Sequence, residues 1–279
     1  MCVYNLFEIL KDIVRIPSPS GDEQELSEYI KETYCRPHGW TAEIDDVFNL
    51  YICRNDDNGK CHLPLLNAHL DTHPRGDNPE NRIILRKEDF LRLDENSNVV
   101  KTHEIQAGFD DKAGIASVIY LMIYTNFRFR ALFAVQEEWA KKRPRFGRQG
   151  GGGIDHALMK SFQKVFKHAS YVITLDRGGG RDIITEYGET NCQRRPRVLL
   201  CENEFRDWLL KCSNDIGYPM KVAEGRIGDS YNIRRTYEGL NCVNLSCGVY
   251  NEHQSSESIN INETLGVTRV VSRCLEIGY

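Results

Sequence analysis

The chain has 279 residues, 41% of them hydrophobic, 27% charged and 10% aromatic, values of a globular protein that exclude disordered and fibrous classes. Lys plus Arg number 36 and Asp plus Glu 40, a net charge of -4, so no global field draws the chain to nucleic acid or to an anionic membrane. Its length bounds the organisation to one α/β domain, with or without an insertion.

The ten cysteines form neither Cys-x-x-Cys pairs nor a dense disulfide framework, and they read as reduced, mostly buried thiols. The first residues lack a basic segment followed by an apolar stretch, and no run approaches the roughly 20 apolar residues that span a bilayer. Cytoplasm is the expected compartment.

Leu6, Ile9, Leu10 and Ile13 recur at helical spacing. After the break at Pro17 and Pro19, Ser20 or Asp22 is placed to cap a second helix reaching Tyr34. Short apolar and β-branched runs follow at 41–44, 49–53 and 63–68, the last apolar on both faces as a central strand requires, and it ends in His69-Leu70-Asp71-Thr72. Residues 82–85 and 90–93 predict a hairpin around 87–89, and 108–114 lead into an apolar helix at 115–124. Residues 129–135 predict a second buried strand, ending at Gln136-Glu137-Glu138.

Residues 141–153 hold five basic residues and five glycines, which predicts a flexible loop inserted in the domain. A helix at 155–167, a strand at 171–175 ending at Asp176, a turn at Gly178-Gly179-Gly180 and a strand at 183–185 come next. A helix at 204–216, a strand at 243–246 and a closing helix at 263–277 complete the series. This alternation predicts an α/β fold with a largely parallel sheet, and there is no internal repeat.

Three polar clusters, His69/Asp71, Glu137/Glu138 and Asp176, fall just past the carboxyl ends of apolar strands, the edge at which open α/β sheets bind ligands. Asp110 and Asp111 open a helix between them, and His253 follows the strand at 243–246. Two histidines with three carboxylates suit divalent zinc, or cobalt and manganese as substitutes. Adjacent Glu137 and Glu138 can divide the tasks of metal ligand and proton carrier at a strand end, because neighbouring side chains point in different directions.

The runs Asn67-Ala68-His69-Leu70-Asp71-Thr72, Gly108-Phe109-Asp110-Asp111-Lys112-Ala113-Gly114, Glu137-Glu138, Thr174-Leu175-Asp176 and Glu252-His253, in that order, resemble the two-zinc exopeptidases. That superfamily includes peptidase T, bacterial leucyl aminopeptidase and the tetrahedral glutamyl aminopeptidases. The stretch from Ile13 to Glu23, with Pro17-Ser18-Pro19-Ser20-Gly21, is similar to its opening, so the resemblance spans nearly the whole chain.

The resemblance implies a three-layer α/β/α hydrolase with a mixed, mostly parallel central sheet and two zinc ions. Asp110 would bridge the ions, His69 and Asp176 would complete one site, and Glu138 and His253 the other. Glu137 would be the general base for water activated between the ions, and Asp71 would accept a hydrogen bond from the His69 ring. A cis peptide at Asp110-Asp111 is implied as well.

Peptidase T carries a lid between the Asp and the final His, whereas the interval from Asp176 to His253 leaves room only for the core. Glutamyl aminopeptidases insert a domain between the first His and the bridging Asp, an interval that here, from His69 to Asp110, holds only a hairpin. Residues 1–279 are therefore expected to form one catalytic domain without a lid, nearest to the single-domain aminopeptidase branch.

The expected activity is cleavage of a terminal amide bond of a small peptide, with carboxypeptidase or N-acyl amino acid deacylase activity, the latter on acylated amino acids, as alternatives. A metal-retaining scaffold without catalysis is a further class, which the intact Glu137 opposes. Nucleic-acid binding would rest only on the basic residues of 141–148 and of 194–197. His38, His62, His103, His156 and His168 fit surface or core packing, while His73, two residues beyond Asp71, stands closest to the motif. Tyr250 and Arg226 are peripheral candidates for substrate contact.

Overall fold

The computed structural model describes residues 1–57, 59, 61–73, 92–94, 99–101, 107–138, 152–188, 197–225 and 228–279. Helix α1 (Val3–Val14) buries Leu6, Ile9, Leu10 and Ile13, the stripe seen in the sequence. Helix α2 (Gln24–Ile30) runs on through a π-helical turn (Lys31–Cys35) and a 3-10 turn (Arg36–His38), and Gly39 ends it at φ +73. Neither Ser20 nor Asp22 caps α2: its N-cap is Glu23, and the Ser20 hydroxyl donates instead to Asp71 at 2.5 Å.

Strands β1 (Trp40–Ile44), β2 (Leu50–Arg54) and β3 (Leu63–His69) precede the short pair β4 (Arg92–Asp94) and β5 (Val99–Lys101). The hairpin expected around 87–89 lies outside the described residues, although β4 and β5 pair antiparallel. Helix α3 (Phe109–Tyr124) is buried almost all round, as an apolar helix inside a layer must be, and β6 (Arg130–Ala134) follows it.

The expected glycine-rich loop falls outside the described residues over 141–151, and its last two glycines belong to α4 (Gly152–His156). The single helix expected at 155–167 is instead α4, a π-helical turn (Ala157–Ser161) and α5 (Gln163–Lys167), broken where Phe162 leaves helical geometry to bury its ring. Then come β7 (Ala169–Arg177), β8 (Asp182–Tyr187), β9 (Val198–Leu199), α6 (Asn203–Asp215), β10 (Lys221–Gly225), α7 (Asp229–Thr236), β11 (Cys242–Ser246), β12 (Val249–Tyr250), β13 (Ser258–Asn260) and α8 (Ile261–Ile277). Asn260 caps α8 by accepting from the N–H groups of Asn262 and Glu263.

The main sheet has the order β1-β2-β6-β3-β7-β11-β8-β10, with β9 beside β8. Its centre, β6-β3-β7-β11, is parallel, and antiparallel pairs flank it, so the sheet is mixed. A smaller sheet, β12-β13-β5-β4, lies beside it.

Alternating residues of the central strands feed two cores. Leu66, Phe133 and Ile173 pack with α1, α2, α3, α6 and α8 on one face, and Leu65, Leu132 and Val172 pack with α4, α5 and α7 on the other. This is the three-layer α/β/α arrangement. Burying each such side chain stabilises the fold by about 1.5–3 kcal/mol. Helix α3 approaches β7 so closely that a Cβ on Gly114 would lie 2.1 Å from the Leu175 carbonyl oxygen, so any side chain there would push the helix off the sheet. No described helix is long and apolar enough to cross a membrane.

Candidate metal centre

Because β6, β3 and β7 are parallel neighbours, their carboxyl ends share one edge, and the polar residues there are brought together by the register of the sheet. His69 is the last residue of β3 and is 2% exposed. Its Nε2 lies 3.3 Å from Asp110 Oδ1 and 3.3 Å from Asp176 Oδ1. Its Nδ1 is 2.9 Å from the backbone carbonyl oxygen of Asp71 and 3.4 Å from the Asp71 carboxylate. The ring thus faces both the main-chain carbonyl and the carboxylate of Asp71, the residue that the sequence pairs with it.

The Asp71 carboxylate is fully buried and has other work. It accepts from the N–H groups of Glu137 (2.9 Å) and Glu138 (3.1 Å) and from Ser20, so it holds the chain leaving β6 against the end of β3. The Glu23 carboxylate continues this role one residue earlier, accepting from Gln136 N–H at 3.1 Å, where the backbone turns through φ +56.

Asp110 lies in the first turn of α3, where non-helical torsions at Asp110 and Asp111 kink the chain and the peptide between them is cis. The buried Glu257 carboxylate accepts from Gly108 N–H (2.7 Å) and Asp110 N–H (3.2 Å), tying this turn to the segment that carries His253. Asp111 turns away from the cleft to accept from His69 N–H and Gly114 N–H, both at 3.1 Å. Asp110 therefore offers one oxygen to each histidine: Oδ1 toward His69, and Oδ2 at 3.1 Å from His253 Nε2. His253 Nε2 is also 2.6 Å from Glu138 Oε1.

All seven residues singled out in the sequence, His69, Asp71, Asp110, Glu137, Glu138, Asp176 and His253, are thus brought to one cleft. Ligating atoms of His69, Asp110 and Asp176 fall within 4.8 Å of one another, as do those of His69, Glu137 and Glu138, and those of His73, Glu138 and His253.

No lysine or arginine among the described residues pairs with Asp110, Glu137, Glu138 or Asp176; their recorded ion pairs are to histidine. Burial, with Asp110 adding to it, pushes the Glu138 carboxyl up to about 8. Burial with the Asp176 charge lifts Glu137 well above the carboxylate range. Burial also raises Asp176 to about 6. Asp110 is the exception: burial works against its charge, but the His253 and His69 bonds hold it well below the usual range. Burial likewise opposes charge on His253, yet Asp110 and Glu138 raise it to about 10. Crowded, largely buried carboxylates with histidine nitrogens between them, and no lysine or arginine partner among the described residues, form a donor set that fits divalent metal ions.

Asp229, at the start of α7, was not marked in the sequence, yet it is buried beside this cleft, accepts from Asn67 Nδ2 at 3.1 Å, and is raised by burial to about 7. The preceding Gly228 passes so near that a Cβ there would lie 3.7 Å from Glu137 Oε1 and from Asp176 Oδ2. A Gly-Asp-Ser step opening a helix was the available signal. Asn244 of β11 is a further support: its side chain bonds both the N–H (3.1 Å) and the carbonyl (3.3 Å) of Asp176.

Of the peripheral candidates, Tyr250 donates to Glu263 at 2.5 Å, while Arg226 lies outside the described residues. Of residues 194–197 only Arg197 is described, and it pairs with Glu186. His156 sits in another acidic group, with Asp45 and Asp46, but Asp45 is already engaged by Val47, Asn49 and Ser161.

No family model matches the sequence, and no curated protein matches it. Solved structures do match, and they place the chain in the α/β fold of a class of aminopeptidases. Aminopeptidase PepT from Bacillus cereus aligns with a TM-score of 0.76 and 13% identity over 99% of this chain and 98% of that one. A tripeptidase from Staphylococcus aureus gives 0.75 and 12% over 99% and 98%. An aminopeptidase from the archaeon Desulfurococcus kamchatkensis gives 0.68 and 12% over 99% and 96%. At such identities the likeness establishes the fold.

Proposed function

We propose that this protein is a two-metal hydrolase that removes a residue from the amino end of small peptides, with residues 1–279 as one lidless catalytic domain. The observation that carries the reading is Asp110, whose two carboxylate oxygens face two different histidines, His69 and His253, in a largely buried crowd of carboxylates that no described lysine or arginine pairs with. His69, Asp176 and Asp110 would hold one zinc-class ion; Glu138, His253 and Asp110 the other. Bound there, the ions supply Lewis-acid polarisation of the scissile carbonyl and lower the pKa of water.

Glu137 is the proton carrier. Its N–H is anchored on Asp71, and its carboxylate lies in the field of the Asp176 charge, where it can take a proton from the attacking water and hand it to the leaving amine nitrogen. Its high proton affinity suits this role. The likeness in fold to proteins described as aminopeptidases and a tripeptidase supports the amino-terminal choice. The nine described cysteines are free thiols, seven of them buried, which supports a reducing compartment such as the cytoplasm.

The test is elemental mass spectrometry on protein purified without chelator, followed by a substrate screen. Wild type is expected to hold two zinc-class ions per chain, His253→Ala about one, and the loaded wild type to release arylamine from aminoacyl arylamides. Cleavage of N-acyl amino acids alone would make it a deacylase, and a chain that takes up no metal would refute the centre.

A further inference from the structure

We propose that His73 is a positioning residue for His253, holding that imidazole toward Glu138 and Asp110 by lying flat against its face. The inference rests on the metal-centre reading above. The two rings stack with centroids 4.4 Å apart and planes 18° from parallel.

His253 needs such a support because it differs from the other proposed ligands in what carries it. His69 and Asp176 belong to central strands, Asp110 is fixed by Glu257, and Glu138 is fixed through its N–H by Asp71. His253 stands on an exposed turn, 250–256, with left-handed backbone at Asn251 (φ +55) and at His253 itself (φ +65). Its side chain is 39% exposed, and its recorded polar contacts are the two carboxylates.

The chain at His73, by contrast, is anchored. Thr72 N–H donates to the Ser18 carbonyl at 2.8 Å, Thr72 pairs with Pro19, and its side chain fills the space against Gly108, where a Cβ would lie 2.5 Å from Thr72 Oγ1. The stack therefore links an exposed turn to a fixed point one residue beyond that anchor.

The same geometry argues against His73 as a ligand of the same ion. A ligating atom of His73 lies within 4.8 Å of those of Glu138 and His253. Imidazole lone pairs, however, lie in the ring plane, so in a nearly parallel stack they run side by side and do not converge. A ring that carries positive charge or ligates a cation is electron-poor, and a second ring over its face is attracted to it. Hydrogen-bonding supports of metal ligands are worth about 10–100-fold in metal affinity when removed, which sets the scale for this one.

The experiment compares full-length wild type, His73→Ala and His73→Phe by zinc titration against a competing chelator, with the visible spectrum of the cobalt form as a second readout. Wild type should bind two ions. His73→Ala should keep the tighter affinity and lose about 10-fold or more in the weaker one, and His73→Phe, which retains a flat ring, should recover most of that loss with an unchanged cobalt spectrum. Equal affinities in wild type and His73→Ala would overturn the role of His73 while leaving the centre in place. So would a His73→Phe variant as weak as His73→Ala with an altered cobalt spectrum, since the ring nitrogen would then be a ligand. Wild type that binds no ion would remove the centre itself, and this role with it.

Discussion

Strand β6 has a buried carboxylate near each of its ends, and the two ends treat the charge differently. At its start, Arg130 grips Asp57 with Nε 2.6 Å from Oδ2 and Nη2 3.0 Å from Oδ1, while its remaining donors reach the carbonyls of His168 and Cys61. Both side chains are about 2% exposed, and the Arg130 bonds hold the Asp57 carboxyl below its usual range. At its other end Glu137 and Glu138 meet Asp110, Asp176 and Asp229 with histidines but no arginine, and all but Asp110 are raised. One end is a closed ion pair that serves the fold; the other is a crowd of carboxylates that no described lysine or arginine balances.

Four experiments test that contrast. Glu137→Gln is expected to lower turnover by about a hundredfold or more with metal content unchanged; equal kcat in the two proteins would remove Glu137 from proton transfer. Asp57→Asn leaves Arg130 buried without its counter-charge and should cost about 3–5 kcal/mol in denaturant unfolding. A loss under 1 kcal/mol would mean that water already reaches the pair.

Asp176→Asn should act in the opposite sense on metal-free protein, stabilising it by about 1–3 kcal/mol at neutral pH because it removes a carboxyl that burial raises to about 6. The same variant should reduce the stabilisation that zinc gives. If it destabilises the metal-free protein, the crowding argument is wrong.

The smallest effect is a slope with pH. Asp57 stabilises the fold above its ordinary pKa of 3.8, a contribution lost as pH falls through the lower folded value. Asp176, Asp229 and Glu138, raised to about 6, 7 and 8, hold protons in the fold that the unfolded chain has released, so metal-free protein loses stability as pH rises from about 4 to 8. His253, raised to about 10, adds to that slope, since what it contributes below 6.5 disappears toward 10. Asp71 and Asp110, both held low, run the other way, but only in acid. Differential scanning calorimetry should therefore show the metal-free midpoint falling between pH 6 and pH 8, and zinc affinity rising over the same interval as binding releases protons. A midpoint that rises would contradict these directions.

The features legible in the sequence are those that depend on local pattern. The runs at 63–69 and 130–134 are apolar on both faces because they lie between two helical layers, and the polar site residues follow such runs directly. Strand β10 gave no such signal: it is exposed at Lys221, Val222 and Glu224, and nothing in its apolar periodicity marks an edge strand. Helix α7 escaped for a related reason, since its short, polar sequence buries Asp229 and Ser230 along with Tyr231 and Ile233. The supports of the site were invisible because they are made across the fold. Glu257 reaches Asp110 over 147 positions, Asn244 reaches Asp176 over 68, and whether Asp71 meets His69 through its carbonyl or its carboxylate is a matter of rotamer.

His69 and Asp176 stand on adjacent parallel strands, which makes the hydrogen-bonded sheet a ruler for that part of the site, while Glu137 and Glu138 lie just past β6 and are held to it through Asp71. Neighbouring strands stand about 4.8 Å apart whatever connects them. The spacing between His69 and Asp176 is therefore set by main-chain pairing, and the crossovers can grow, shrink or change composition without recalibrating it.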